Sequence, residues 1–330
     1  MTPLQPSRWT IPNTGRPLPA FGFGCAALGN LYAAVSDADA AATLSAAWQN
    51  GIAYFDTAPY YGHGLSEERL GRFLKSGAAP HAIVSTKVGR SLRPVGDGVR
   101  PDTGFVNAAP FDPYFDYSSD AVLRQIEGSL ARLGHDRLDI VFVHDIGART
   151  HGPEHKAMFT AALKGAFPAL AELRSQGVIG AIGIGVNEVE VCIETMAHVR
   201  LDAILLAGRY TLLDQSALPE LLPCCERDNV AVIVGGPFNS GVLADGRHYD
   251  YAEVPAAIAE RAARLRAVCA EHGVPLTAAA LHFPLLYPAI VSVIPGARTA
   301  REVTANAADM AAPPPASLWN ALRAEGLIAP

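Results

Sequence analysis

Helix, glycine, strand is the recurring unit of this chain. Amphipathic or Ala-rich stretches stop at Gly51, Gly134 and Gly177, and an apolar run follows each; Gly273 closes a further helical stretch. Glycine reaches the left-handed backbone that ends a helix without a steric penalty, so each of these positions reads as a helix cap. The apolar runs end at Gly24, Asp56, Lys87, His144, Ile184, Leu206, Val234 and Ile294. Helical patterns separate them, at about 36–50, 66–75, 119–133, up to 176, 188–199, 215–227, 255–272, 276–285 and 299–308. Ser36-Asp-Ala-Asp39 reads as the capping box of the first helix. Eight strand–helix alternations predict a parallel sheet, and in 330 residues they predict an α/β fold, the (β/α)8 TIM barrel with one or two extra helices.

The pattern shows no internal break, so residues 1–330 are expected to form a single domain, with a Pro-rich N-terminal arm over 1–20 and a C-terminal extension over 311–330. Gly89 to Tyr117 is too long for an ordinary connection and reads as a long functional loop after the third strand. The rival fold is a dinucleotide-binding domain opened by Gly22-Phe-Gly24-Cys-Ala-Ala27. That fingerprint needs a helix opening at its third position, and the tract from Ala26 to Ser36 does not read as one.

Half the residues are hydrophobic and 18% are charged, which fits a large core and argues against disorder. The net charge of -6 with no basic block argues against nucleic-acid binding. No apolar run reaches membrane-spanning length, and the first residues carry no apolar leader. The five cysteines lack Cys-x-x-Cys spacing, so reduced thiols and a cytoplasmic setting are expected. No metal-ligand cluster stands at the strand ends.

In such barrels the chemistry gathers at the C-terminal rim of the strands. Strands two, three and four end in Asp56, Lys87 and His144, and Tyr61 follows Asp56 within the same rim. Each has a plain structural reading: a turn cap, a solvated cation, a core histidine, loop packing. Together they allow proton transfer. A phenol with a pKa of about 10 is a poor acid or base at neutral pH. A nearby ammonium is expected to favour its phenolate, a carboxylate to hold the ammonium, and a neutral imidazole to position a substrate oxygen. A lysine at a strand end also allows a Schiff-base aldolase at Lys87, and a non-catalytic nucleotide-binding module is the other alternative.

The stretches Asp56-Thr-Ala-Pro-Tyr-Tyr61-Gly62, Ser85-Thr-Lys87 and Val143-His144-Asp145 resemble the aldo-keto reductases, and the resemblance runs from about Phe21 to Asn306. It implies Tyr61, rather than its neighbour Tyr60, as proton donor or acceptor, Lys87 as its activator, Asp56 as the partner of Lys87, and His144 as the residue that orients the substrate. It further implies that a nicotinamide nucleotide lies across the other strand ends. Gly24, Cys25 and Ala26 would face the ribose and nicotinamide; Asn187 would hold the amide; Pro237, Phe238, Asn239, Gly241 and Leu243 would cover the pyrophosphate. Gly296, Ala297, Arg298, Glu302 and Asn306 would form the adenosine site. The chain departs from the common family pattern at Val186, Ala207 and Gly235, where Ser, Gln and Tyr are usual. It also has an acid at 302 where a base commonly grips a 2′-phosphate. A carboxylate there favours NAD, with NADP possible through Arg298. Ala26 to Leu31, Leu206 to Leu213 and Gly235 to Gly241 resemble the family branch that oxidises a cyclic sugar hemiacetal at its anomeric carbon to a lactone, the D-threo-aldose 1-dehydrogenases or L-fucose dehydrogenases, with pyridoxal 4-dehydrogenase nearby. The expected partner is thus a small-molecule substrate; the oligomeric state is not legible.

Overall fold

The computed structural model describes residues 8–96, 101–244, 246, 248–250 and 252–330. Part of the N-terminal arm (1–7) and part of the loop after the third strand (97–100) therefore lie outside the described residues. Eight strands form the central sheet: β1 Phe23–Gly24, β2 Tyr54–Asp56, β3 Ile83–Val88, β4 Leu138–His144, β5 Ile179–Val186, β6 Ala203–Ala207, β7 Ala231–Gly235 and β8 Ile290–Ile294. They are ordered as in the sequence, and every neighbouring pair is parallel. The barrel closes where Phe21 and Gly24 bridge Val293 and Gly296. The Gly22 N–H donates to the Val293 carbonyl at 3.0 Å and the Gly24 N–H to the Pro295 carbonyl at 3.0 Å. Position 22 must be glycine, because a Cβ there would meet the Tyr54 ring at 2.5 Å. β3, β4 and β5 are buried along their whole length. That is why their sequences run apolar without alternation.

The helices covering the barrel are α1 Asp37–Gln49, α2 Leu65–Lys75, α3 Ser119–Leu133, α4 Phe167–Ser175, α5 Glu190–Met196, α6 Leu221–Asp228, α7 Ala256–Glu271, α8 Leu276–His282, α9 Ala300–Ala311 and α10 Ala316–Ala324. Several helical segments exceed the one-per-strand pattern: Ala148–His151 and His155–Ala161 precede α4, β7 and β8 are joined by both α7 and α8, and α10 packs on α7. The Ser36 hydroxyl accepts the Asp39 N–H, as its capping box predicts, and Gly51, Gly134, Gly177 and Gly273 all have positive φ.

The N-terminal arm doubles back through a Thr10–Pro17 bridge and inserts Ile11 and Leu18, both fully buried. They pack with Tyr54, Ile83, Ile140, Ala181 and Ala203 into a cluster of their own inside the barrel. These residues stand at or near the starts of the strands, so the arm plugs the end opposite the rim. Arg16 fixes the plug, donating to the Asp139 carboxylate at 2.7 Å and to the His81 and Ala82 carbonyls.

Two expectations change, and the rejection of the rival fold is borne out. The long loop holds an antiparallel ribbon, Arg90–Pro94 against Phe111–Phe115, whose prolines hide the strand signal. The helix expected from Gln215 starts at Leu221, because Pro219 disfavours helical backbone at Leu218. Cys25–Gly29 is a short 3-10 turn ended by Asn30 at φ 70°, so the rival dinucleotide-binding fold is not formed.

Candidate active site

The site starts with a glycine contact. Gly62, at φ +63°, packs on Gly29 so closely that a Cβ would lie 2.5 Å from the Gly29 carbonyl oxygen. This contact pins the β2–α2 turn to the turn after β1 and sets where Tyr60 and Tyr61 emerge. β2 and β3 pair with Asp56 opposite Ser85, so the Asp56 carboxylate and the Lys87 side chain reach the same rim. Glycine at 185 keeps the lysine stem uncrowded, since a Cβ there would already lie 3.4 Å from Lys87 Cε.

Lys87 Nζ donates to Asp56 Oδ2 at 2.7 Å and to the Thr57 carbonyl at 2.8 Å. The other Asp56 oxygen accepts Ser85 Oγ at 2.6 Å, which in turn pairs with the Tyr54 hydroxyl at 2.9 Å. Lys87 and Asp56 are each only 2% exposed. Burial pushes the Asp56 carboxyl up, against Lys87 and these hydrogen bonds, which favour the charged form. The Lys87 ammonium lies over the Tyr61 ring, 4.5 Å from its centroid, while the Arg90 guanidinium covers Tyr60 at 3.9 Å. The two adjacent tyrosines are thus separated by their cations, and Tyr61 is the one that meets Lys87.

The expected lowering of the Tyr61 pKa is not what this geometry gives. Burial, then the Asp56 and Asp145 charges, holds the Tyr61 phenol well above its ordinary value. The ammonium sits on the ring face and is engaged by Asp56 and Thr57. Tyr61 therefore stands protonated, a donor in waiting. His144 completes the group: its ring meets Tyr61 and Tyr60 edge-on, each at 6.2 Å between centroids. Burial pushes its imidazole down to about 3, so it is neutral at physiological pH. Its Nδ1 is buried without a partner among the described residues, and Nε2 stands 3.4 Å from Asp145. Phe105, from the long loop, packs against both tyrosines.

Sequence reasoning missed Arg90. It opens the ribbon, donates to Asp145 at 2.6 Å, and lies between the Tyr60 ring and the Phe115 ring, 4.3 Å from the latter. Its only signal was the position just past the strand that ends near Lys87.

The remaining candidates line the rim from β1 round to β8. The Gly24–Gly296 bridge brings Gly24, Cys25 and Ala26 beside Gly296 and Ala297. The Cys25 thiol is fully buried and pushed up by burial, so it offers backbone rather than a thiolate. Asn187 follows β5, and its carbonyl accepts Arg209 Nε at 2.7 Å. Arg209, unassigned from sequence, also pairs with Asp214 and with both oxygens of Asp250, tying the β6 and β7 loops together. Pro237 is buried and Phe238 half-buried. Asn239, Gly241 and Leu243 lie in a tight turn with positive φ at 239, 240 and 241. Glu302 caps α9, its carboxylate accepting the Arg298 N–H at 2.7 Å, while Arg298 Nη2 reaches the Leu31 carbonyl at 3.4 Å. Asn306 lies on α9, half-buried, one turn beyond Glu302.

These residues fit a nicotinamide nucleotide. Asn239 Oδ1 and Arg298 Nε are buried polar atoms with no partner among the described residues. Gly208 and Gly236 have positive φ, and a Cβ on either would meet nothing nearer than 3.7 Å, leaving bare backbone open to a ligand. A surface groove of about 960 Å³ lies elsewhere, between α7 and the β7 loop.

The chain belongs to the aldo/keto reductase family, oxidoreductases of the barrel type, whose model matches residues 20–324. The chain is 42% identical to a pyridoxal 4-dehydrogenase from Microbacterium luteolum over 96% of both chains. It is 41% identical to a D-threo-aldose 1-dehydrogenase from a Pseudomonas species, over 95% of this chain and 96% of that protein. Among solved structures, an aldo-keto reductase from Bacillus halodurans in its holo form superposes with a TM-score of 0.75 at 23% identity, covering 98% of this chain and 96% of that one. Among the described residues no helix is long and apolar enough to cross a membrane, and no cluster suited to a metal ion is present.

Proposed function

We propose that this aldo-keto reductase oxidises a cyclic hemiacetal at its anomeric carbon to a lactone, with NAD as hydride acceptor. The buried Lys87–Asp56 pair beneath Tyr61, with neutral His144 facing the same phenol, carries the reading. His144 holds the substrate oxygen, and Tyr61 receives the anomeric hydroxyl proton as the carbon–hydrogen bond breaks. Lys87 and Asp56 fix the floor of the site and balance charge there. The bound nucleotide supplies the hydride acceptor and, when oxidised, a positive charge that favours the Tyr61 phenolate. Because the phenol stands high without it, oxidation accelerates with rising pH, whereas the reverse reduction uses Tyr61 in the form already present.

Both relatives bear on the substrate class. An aldose closes to a hemiacetal, and so does pyridoxal, whose aldehyde neighbours a hydroxymethyl group. Tyr60, Phe105 and Phe115 give this side of the site an aromatic character that suits a sugar ring or a pyridine. A panel of L-fucose, D-arabinose, L-galactose and pyridoxal with NAD and NADP, followed at 340 nm, tests the proposal. Reduced nucleotide should form with at least one of these hemiacetals, and a silent panel would count against the reading. A Schiff-base aldolase at Lys87 is disfavoured, since Nζ is buried and held by Asp56 and Thr57. A non-catalytic nucleotide-binding module would instead bind NAD and leave the whole panel unchanged.

The preference for NAD rests on Glu302, whose carboxylate stands at the start of α9 where a 2′-phosphate would otherwise gain from the helix. Glu302→Lys should raise the NADP-to-NAD ratio of kcat/KM by about tenfold or more, as one added charge-assisted contact to phosphate implies. The cap contact to Arg298 is lost as well, so the Tm should fall slightly. An unchanged cofactor ratio would remove Glu302 from the argument.

A further inference from the structure

The groups around His144 come from several elements. Asp145 follows it on β4 and adopts φ 51°, a left-handed backbone that is uncommon outside glycine, with its N–H on the Gly185 carbonyl. Its carboxylate turns back to lie 3.4 Å from His144 Nε2. Arg90 reaches it from the ribbon, and the Tyr60 and Phe115 rings hold the guanidinium on two sides. Lys87 and Tyr61 face the imidazole from the β3 and β2 ends. The Tyr117 hydroxyl donates to the His144 carbonyl and also contacts His151 Nε2.

A carboxylate this close to an imidazole would ordinarily favour imidazolium. Imidazolium would compete with Tyr61 as the proton donor and would turn the bare Nδ1 from an acceptor for a substrate hydroxyl into a second donor. Burial is the first cause that opposes this, and Arg90 adds to it by pairing with the same carboxylate at 2.6 Å. The carboxylate is then left with enough negative charge to keep the imidazole proton on Nε2, the side facing Asp145, and too little to draw in a second proton. The unpartnered Nδ1 agrees with this tautomer, since it leaves that nitrogen without a proton to place.

We propose that Arg90 and Asp145 form a positioning pair that fixes the tautomer of His144 and keeps it neutral, with Tyr60 and Phe115 as the clamp on Arg90. The pair sharpens the oxidoreductase reading of the same site and rests on it for its catalytic meaning, whereas its electrostatic content can be read without turnover.

The test compares wild type, Arg90→Met and the double variant Arg90→Met/Asp145→Asn. Methionine keeps an apolar chain between the two rings, and asparagine tolerates the left-handed backbone. The His144 imidazole is followed by NMR on histidine-labelled full-length protein, assigned with a His144→Gln control, alongside the pH profile of kcat/KM. In Arg90→Met the His144 titration should move up by about one to three pH units, the range for an opposite charge at this distance, and an acid limb should appear in the profile. In the double variant both effects should disappear. A His144 titration that stays at its wild-type position in Arg90→Met, or one that stays raised in the double variant, would overturn the proposal. If the titrations behave as expected but no hemiacetal is oxidised by the wild type, the functional reading fails and the electrostatic pair stands.

Discussion

Tyr61→Phe should lose oxidation of every hemiacetal substrate by about 10²- to 10⁴-fold, the usual size of a general acid–base contribution. Binding of NAD, followed by protein fluorescence, should change little, because the residues proposed to hold the nucleotide stand at the β1, β5, β7 and β8 ends. Only the hydroxyl is removed. The ring that covers Lys87 and packs on Phe105 remains, so folding is preserved. The control is Tyr60→Phe: Tyr60 is the partner of Arg90, and its loss should cost far less turnover. If the two variants lose activity equally, the assignment of the proton to Tyr61 fails. Wild-type oxidation should also rise with pH across the range in which the bound complex can ionise Tyr61, and Tyr61→Phe should not show that rise.

Lys87→Met should be the most destabilising substitution in the site. It leaves the Asp56 carboxylate buried without its cation, an arrangement that typically costs about 3–5 kcal/mol. The pH dependence has a definite sign. Burial already raises the folded-state pKa of Asp56 above its unfolded value, and removing Lys87 raises it further. A raised carboxyl binds its proton more tightly in the folded state. Its favourable contribution is complete below the unfolded pKa and is lost as the pH climbs through the folded one. The deficit of Lys87→Met, measured by urea unfolding, should therefore be smaller near pH 5 than near pH 8. Lys87→Met/Asp56→Asn should recover much of the stability and none of the activity. A deficit that ignores pH would mean that Asp56 is not the group left uncompensated.

The strands carrying the tetrad were legible because each is a continuous apolar run that stops at an ionisable residue, a break in pattern that burial on both faces makes visible. The glycine caps were legible because their conformation is encoded in one residue. The ribbon over 90–115 was not, since Pro94 and Pro113 interrupt it and only five residues pair on each side. The direction of the Tyr61 pKa could not be read either. Sequence spacing shows that a lysine is near, but not that its ammonium faces the ring and is already taken by Asp56 and the Thr57 carbonyl. Arg90 belongs to the same class: its meaning comes from Asp145, Tyr60 and Phe115, which lie on three other segments.

The family match begins at residue 20, yet Ile11 and Leu18 sit inside the barrel before that point. A chain cut back to the matched region would open a water-filled well beneath Tyr54, Ile83 and Ile140, directly under the strand whose other end holds Lys87. The stopper at the base and the reacting groups at the rim share the same staves. Trimming the arm is thus an intervention on the active site made from the opposite end of the molecule.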